Sequence, residues 1–352
     1  MRKFTAQRYK YPNLKAIISI GGWSGSLHFS TIAKSPALIQ TFVKNVHTFL
    51  DTEGFDGVDI DWEYPGGGGV TCNAVDDSDV SNFVNLLAAL RAELGPDRTI
   101  SLAVSAEVEH YFDKKTKVNR IPDIMKYVSY VQVMSYDFYG SWNNFSDFNS
   151  PLNSPRNGTN DPQEPPSNNA GYSQPLSQTS SIAAWIAAGA KPSQLTNGLA
   201  FYGRSWSVTS NVNNGLYQPC KGADQNDGCG VIGDYLDTAK WTDKCGLSYN
   251  SGVWMYLNLR GAGQQTAAPL AKGATTASNG WTREYFDFAQ NPTLYTPNYL
   301  NRPTFVAYDD PISIKAKAAF AKSAGLGGTM IWELSQDFGG ELITAAKAGW
   351  GV

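Results

Sequence analysis

Four carboxylates fall inside one short apolar run. In GFDGVDIDWEYPG, residues 54–66, Asp56, Asp59, Asp61 and Glu63 alternate with Val58, Ile60 and Trp62. Successive side chains of a strand point to opposite faces, so Asp59, Asp61 and Glu63 share one face and the three apolar residues the other. Same-face neighbours lie only ~6.5 Å apart along a strand. Carboxylates that close, and partly removed from water, cannot all ionise cheaply: desolvation and repulsion keep a proton on at least one and couple their titrations. Glu63 is outermost and precedes Tyr64-Pro65-Gly66, where a strand breaks into a loop. A protonated acid at the C-terminal end of a parallel strand is suited to general-acid chemistry. Acidic strand ends can also hold a divalent metal or face solvent on an edge strand. No second acidic cluster supplies further ligands, so acid–base work is the reading carried forward, with no metal or cofactor expected.

Six apolar runs read as buried strands that could position these groups: 16–21, 57–63, 99–105, 130–136, 196–203 and 328–334. Helical patterns lie between several of them, at 35–54, 79–96, 178–190 and 312–325, with Ser-Pro or Asp starts and Gly or Gly-Pro stops. Strands alternating with helices imply a parallel sheet covered by helices. Two stretches interrupt the alternation. Residues 145–177, rich in Asn, Pro and Ser, read as a long surface loop at a strand's C-terminal end, and residues 205 to about 308 as a small α+β insertion.

The 352-residue chain is aromatic-rich, with 10 Trp, 18 Tyr and 16 Phe, and its net charge of −3 carries no basic tract, so neither nucleic acid nor anionic membrane is an expected partner. No apolar run approaches the ~20 residues of a membrane span, and the opening MRKFTAQRYKYPNLK has no apolar core of a signal peptide. Cys72, Cys220, Cys229 and Cys245 contain no C-x-x-C pair, which favours one or two disulfides in an oxidising compartment over zinc; four cysteines allow three pairings. The sequons at Asn144 and Asn157 fit the same compartment.

The segment FDGVDIDWE, residues 55–63, resembles the D-x-x-D-x-D-x-E signature of family 18 glycoside hydrolases, the chitinases and their relatives. SIGGW (19–23), VMSYDFYGSW (133–142), GLAFYGRSW (198–206) and TMIWELSQD (329–337) resemble further signatures of that family, in the family's order, so the resemblance covers essentially the whole chain. It implies an α/β fold of the TIM-type (β/α)8 barrel, with the barrel on residues 1–204 and 309–352 and an α+β insertion on 205–308 that walls one side of a cleft. It also implies the chemistry. Glu63 protonates the glycosidic oxygen; Asp61 holds the sugar's acetamido group; Asp59 shares a proton with Asp61; Asp56 is structural. Tyr136 hydrogen-bonds the acetamido oxygen with Asp137 beside it, Met134 and Trp332 floor the central sugar subsite, and Tyr202 and Arg204 contact sugar hydroxyls. The nucleophile is then the substrate's own carbonyl oxygen, which suits a sequence with no second carboxylate placed to face the acid across the scissile bond. Trp23, Tyr64, Tyr139, Trp142 and Trp206 lie near strand ends and could stack on pyranose rings, although a tryptophan taken alone is more often core packing. His28, His47 and His110 receive no role.

The first run here corresponds to the family's third strand, which implies that this chain lacks two barrel strands and the helix between them. A parallel barrel short of two strands cannot close. The overall expectation is a chitinase acting on chitin or N-acetylglucosamine oligosaccharides as a monomer, extracellular in the family though without a signal peptide in this chain. The alternatives are a chitin-binding lectin and an inactive truncated fragment. A lectin on this scaffold usually loses the acid, which is retained here as Glu63.

Overall fold

The structure, a computed structural model, describes residues 1–154, 176–220, 231–263 and 265–352. Most of the loop expected over 145–177, the Asn157 sequon and Cys229 lie outside the described residues. The chain divides into two compact units, Met1–Val133 with Ala184–Thr196, and Met134–Ala183 with Asn197–Val352. The fold is α/β, with a parallel sheet and a separate antiparallel sheet.

In the first unit the strands β1 (Ile17–Gly21), β2 (Gly57–Asp61), β3 (Thr99–Ser105) and β4 (Tyr130–Met134, all but its last residue) are hydrogen-bonded in chain order, β1 to β2 and β2 to β3 in parallel. Alternation sorts the faces as the sequence predicts: Val58, Ile60 and Trp62 are buried, and Trp62 packs between Phe29 and Phe83 at 5.4 and 5.2 Å between ring centroids. The covering helices begin and end where their sequences dictate. Helix Pro36–Glu53 starts with Pro36 at its first position, is capped by Ser35 accepting from the Leu38 amide, and stops at Gly54, whose φ of 78° is the left-handed conformation of a C-cap. Ile39, Val43, Val46 and Leu50 form its buried stripe. Helix Asp79–Leu94 buries Val80, Phe83, Leu86, Leu87, Leu90 and Leu94 in the same manner.

In the second unit, β5 (Leu195–Ala200, from Asn197 onward) lies beside the later strand β13 (Gly328–Trp332). The intervening chain builds an antiparallel sheet. The strands β6 (Tyr202–Ser207), β9 (Val253–Met255), β10 (Thr282–Phe286), β11 (Asn291–Tyr299) and β12 (Arg302–Ala307) are arranged as β10-β11-β12-β6-β9, and β7 (Trp241–Thr242) pairs with β8 (Ser248–Tyr249). Leu199, Phe201, Trp254, Tyr256, Leu294, Val306, Tyr308 and Ile314 make one core there.

The single strand expected over 196–203 is two strands. Phe201 donates its N–H to the Trp332 carbonyl and accepts from the Tyr256 amide, so the chain leaves the β13 ladder there and joins β9 and β12. Tyr202 and Arg204 therefore stand on the antiparallel sheet. The runs expected to end at 63, 136 and 334 also stop two residues early, at Asp61, Met134 and Trp332, which leaves Glu63 and Tyr136 just beyond their strands.

Helix Pro311–Ser323 is opened by a capping box in which Asp310 accepts from the amides of Ile312 and Ser313 while Ser313 Oγ accepts from the Asp310 amide. Behind it, Lys317 is fully buried, pairs with Asp309, and donates to Ser150 Oγ at 3.1 Å. Removing one member of such a pair strands the other charge in the core, whereas replacing both by apolar groups need not. Lys317→Met should therefore cost about 3–5 kcal/mol in urea unfolding, and the double change with Asp309→Leu should recover most of it; a single-variant loss below about 1 kcal/mol would contradict the assignment.

Candidate active site

Within the first unit the acidic face is one row of polar side chains across the sheet. Parallel register puts Ser19 of β1 and Ser101 of β3 opposite Asp59 of β2. Asp59 accepts from Ser19 Oγ at 2.8 Å, Ser101 Oγ at 2.7 Å and Gln132 Nε2 at 2.9 Å, the last from β4. Burial raises its pKa, and those three neutral donors pull the other way. Asp61, the next residue on that face, has a buried Oδ1 with no hydrogen-bond partner. Desolvation, then the charges of Glu63 and Asp59, push its carboxyl up to about 8. A carboxyl in that state holds a proton at neutral pH.

Gly21 makes the row possible at its upper end. It pairs with Asp61 at a φ of 123°, and a Cβ there would lie 2.0 Å from the Asp61 carbonyl oxygen. Ser26, fully buried on the following loop, accepts from the Glu63 amide at 3.0 Å and donates toward the carbonyls of Gly22 and Asp61. Beyond Glu63 the loop is tied down by Asp79, whose carboxylate accepts from the Gly66 and Asp76 amides and from Ser30 Oγ. Tyr64 stacks on His110 at 4.6 Å between ring centroids. Burial and Lys114 hold that imidazole's pKa below its ordinary value. Asp56, expected to be structural, anchors the start of β1 by accepting from the Ala16 amide and pairing with Arg8 at 2.9 Å.

Within the second unit the remaining residues gather around Asp137. This residue has a φ of 55°, a left-handed conformation that a non-glycine residue holds only when its surroundings insist. The Asn149 side chain accepts from its amide, and its carboxylate accepts from Tyr202 Oη at 2.8 Å and, in a two-pronged pair, from Arg204 Nε at 2.8 Å and Nη2 at 2.7 Å. For Arg204, burial opposes the charge, but Asp137 outweighs it and the guanidinium is held above its ordinary pKa. Arg204 also donates to the Ser251 carbonyl and lies 5.2 Å from the Trp142 ring centroid. Tyr136 is buried edge-on to Tyr202, with Met134 and Met330 against the same cluster.

Exposure separates the aromatic candidates. Trp23, Trp142 and Trp332 are 41%, 43% and 52% exposed and so have surface open to a sugar, whereas Tyr139 at 3% and Trp206 at 0% are core. Trp206 packs on Phe305. The sequence reading missed Ser19, Ser101, Gln132, Ser26, Asn149 and His110. For the first three a signal existed: each is a polar residue at an interior position of a largely apolar strand.

Because the folded-state pKa of Asp61 lies above its ordinary 3.8, the folded chain binds more protons than the unfolded one between about pH 4 and about pH 8, and this group's contribution to stability falls as pH rises through that window. Asp61→Asn stays neutral and removes the effect. In thermal melts its midpoint, relative to the unmutated chain, should climb steadily across the window; a constant offset would contradict the raised value.

Comparison with known proteins gives the family and the fold. The family model described as "Glycosyl hydrolases family 18" matches residues 1–337. Chitinase A1 of Niallia circulans is 33% identical over 96% of this chain, and Endochitinase 1 of Metarhizium robertsii 30% identical over 92%. The chain spans 42% and 62% of the length of those two relatives. Among solved structures, a chitinase from Rhizomucor miehei superposes with a TM-score of 0.82 at 28% identity, covering 99% of this chain and 88% of that one. A group IV chitinase of Ostrinia furnacalis, solved in complex with allosamidin, gives 0.75 at 27% identity, covering 99% and 82%. The acidic strand, the family match over residues 1–337 and the shared fold lead to one conclusion: this chain belongs to glycoside hydrolase family 18.

Proposed function

We propose that the chain hydrolyses β-1,4 linkages between N-acetylglucosamine units, with retention at the anomeric carbon and with the substrate's acetamido oxygen as nucleophile. The observation that carries this is the unequal treatment of two neighbouring carboxyls. Asp59 has its oxygens occupied by neutral donors, while Asp61 is left with an unpartnered buried oxygen and a carboxyl pushed up to about 8. Asp61 can therefore meet a polar substrate group from either protonation state. As the acetamido oxygen attacks the anomeric carbon, the acetamido nitrogen becomes positive, and Asp61, its proton passed toward Asp59, accepts the N–H and stabilises that charge. Glu63 gives its proton to the departing glycosidic oxygen. It then takes one from the water that opens the oxazolinium ring, which restores the acetamide and regenerates the acid.

Tyr136 is assigned to the acetamido oxygen. Trp332 and Met134 are assigned to the central sugar, with Trp23, Tyr64 and Trp142 along the chain of sugars. Asp137, Tyr202 and Arg204 hold one another, so their contribution is a rigid polar wall with Arg204 supporting the Trp142 ring. Residues 205–308, read as the family's insertion, would deepen the groove. An extracellular setting fits the cysteines, since Cys72, Cys220 and Cys245 are each disulfide-bonded. No helix among the described residues is long and apolar enough to cross a membrane.

The test is turnover of a chromogenic N-acetylglucosamine oligomer. Glu63→Gln should lower kcat by about 10²–10⁴-fold, the usual worth of a positioned general acid–base, and Asp61→Asn should also lower kcat sharply while the oligomer still binds. Activity surviving in Glu63→Gln would remove the assigned role. Tight binding without turnover by the unmutated chain would favour a lectin.

A further inference from the structure

The side chain of Glu63 can act only as well as its peptide frame is held, because the residue stands two positions past the last hydrogen-bonded residue of β2. No sheet ladder fixes it. Two side chains from separate loops do so instead. On one side, Ser26 Oγ accepts from the Glu63 amide at 3.0 Å while its own proton points to the Gly22 and Asp61 carbonyls, at 2.9 and 3.2 Å. On the other, Asn73 Nδ2 donates to the Glu63 carbonyl at 2.9 Å. The space for that bond is set by Gly69, where a Cβ would fall 2.0 Å from the same carbonyl oxygen. The amide orientation of Asn73 is fixed by chemistry, since a carbonyl oxygen can only accept. Asn73 Oδ1 is buried and has no partner, so the bond from Nδ2 to Glu63 is made at the expense of an unsatisfied acceptor. The two loops are also joined by the Ala74 amide donating to the Leu27 carbonyl at 3.0 Å.

We infer that Ser26 and Asn73 are positioning residues that grip the backbone N–H and C=O of Glu63, on the two peptide groups flanking its Cα, in place of a strand ladder and so aim its carboxyl at the glycosidic oxygen. This rests on the hydrolase reading above. It goes beyond it in assigning work to two neutral side chains that do not touch the reacting atoms. A displacement of the acid of about 1 Å is enough to cost on the order of 10²-fold in rate. Asn73 is only partly buried, in a loop outside the core, so its substitution tests the clamp without dismantling the fold.

Asn73→Asp is nearly isosteric but has no donor and sets a charge against the Glu63 carbonyl. It should reduce kcat on the chromogenic oligomer by roughly 10–100-fold with KM changed less than about threefold, and leave the thermal midpoint within a few degrees. Asn73→Gln, which keeps an amide donor, should recover part of the loss. Ser26→Ala should speed hydrogen exchange at the Glu63 amide by at least about tenfold, the loss of roughly one hydrogen bond, with the amides of Val58 and Ile60 unchanged. Unmutated kcat in Asn73→Asp, or a fall in kcat matched by an equal collapse of thermal midpoint, would overturn the clamp; so would unaltered exchange at Glu63 in Ser26→Ala. If the unmutated chain and Glu63→Gln turn over alike, the hydrolase reading fails instead, and the exchange measurement alone decides whether Ser26 holds the peptide.

Discussion

A carboxylate buried in a parallel sheet is the constraint on which the site depends. Asp59 sits where such a sheet is normally apolar, and it is tolerated because the two flanking strands and the one beyond each contribute a neutral donor, Ser19, Ser101 and Gln132. None of those donors brings a compensating charge. Asp59 is itself raised by burial, and Asp61, next on the face, is driven upward first by its own burial and then by its acidic neighbours. Had a lysine or arginine stood in that row, both aspartates would ionise and the ladder would be an ordinary salt-bridged strand.

The second unit solves the opposite problem. Asp137 is paired, by Arg204 and Tyr202, in a geometry that satisfies its carboxylate fully and holds its backbone in a left-handed conformation. Arg204 is in turn committed to the Ser251 carbonyl and covered by Trp142. Charge is neutralised locally there, and rigidity is what results. One unit holds a carboxyl in its protonated form beside other acids; the other uses its charged groups to hold shape.

Much of this was legible in the sequence, for identifiable reasons. Period-two alternation in GVDIDWE placed the acids on one face and Trp62 on the other, and helix caps such as Ser35-Pro36 and Gly54 located that helix within a residue, whereas the helix expected over 178–190 ends three residues early at Ala187. Strand ends were less legible, because they depend on partners distant in sequence. Phe201 leaves one sheet for another through bonds to Trp332 and Tyr256, which nothing in GLAFYG announces. The aromatic candidates divided for the same reason: Trp142 and Trp206 look alike in sequence, and only packing against Phe305 makes the second a core residue. Small polar residues were the least legible of all. Ser26 and Asn73 carry no pattern, and their meaning comes only from the peptide groups they reach.

The most direct measurement is the titration of the Asp61 carboxyl itself, by carbon-detected NMR of the carboxyl-labelled chain with Asp61→Asn used to assign the resonance. The proposed sharing of a proton requires a midpoint near 8, far above an ordinary aspartate, with a second inflection transmitted from a neighbouring carboxyl. It also requires that midpoint to fall when Asp59 is replaced by Asn. A single inflection near 4, unmoved by that replacement, would show that Asp61 is ionised at neutral pH and that the acidic face does not hold the proton on which the proposed chemistry turns.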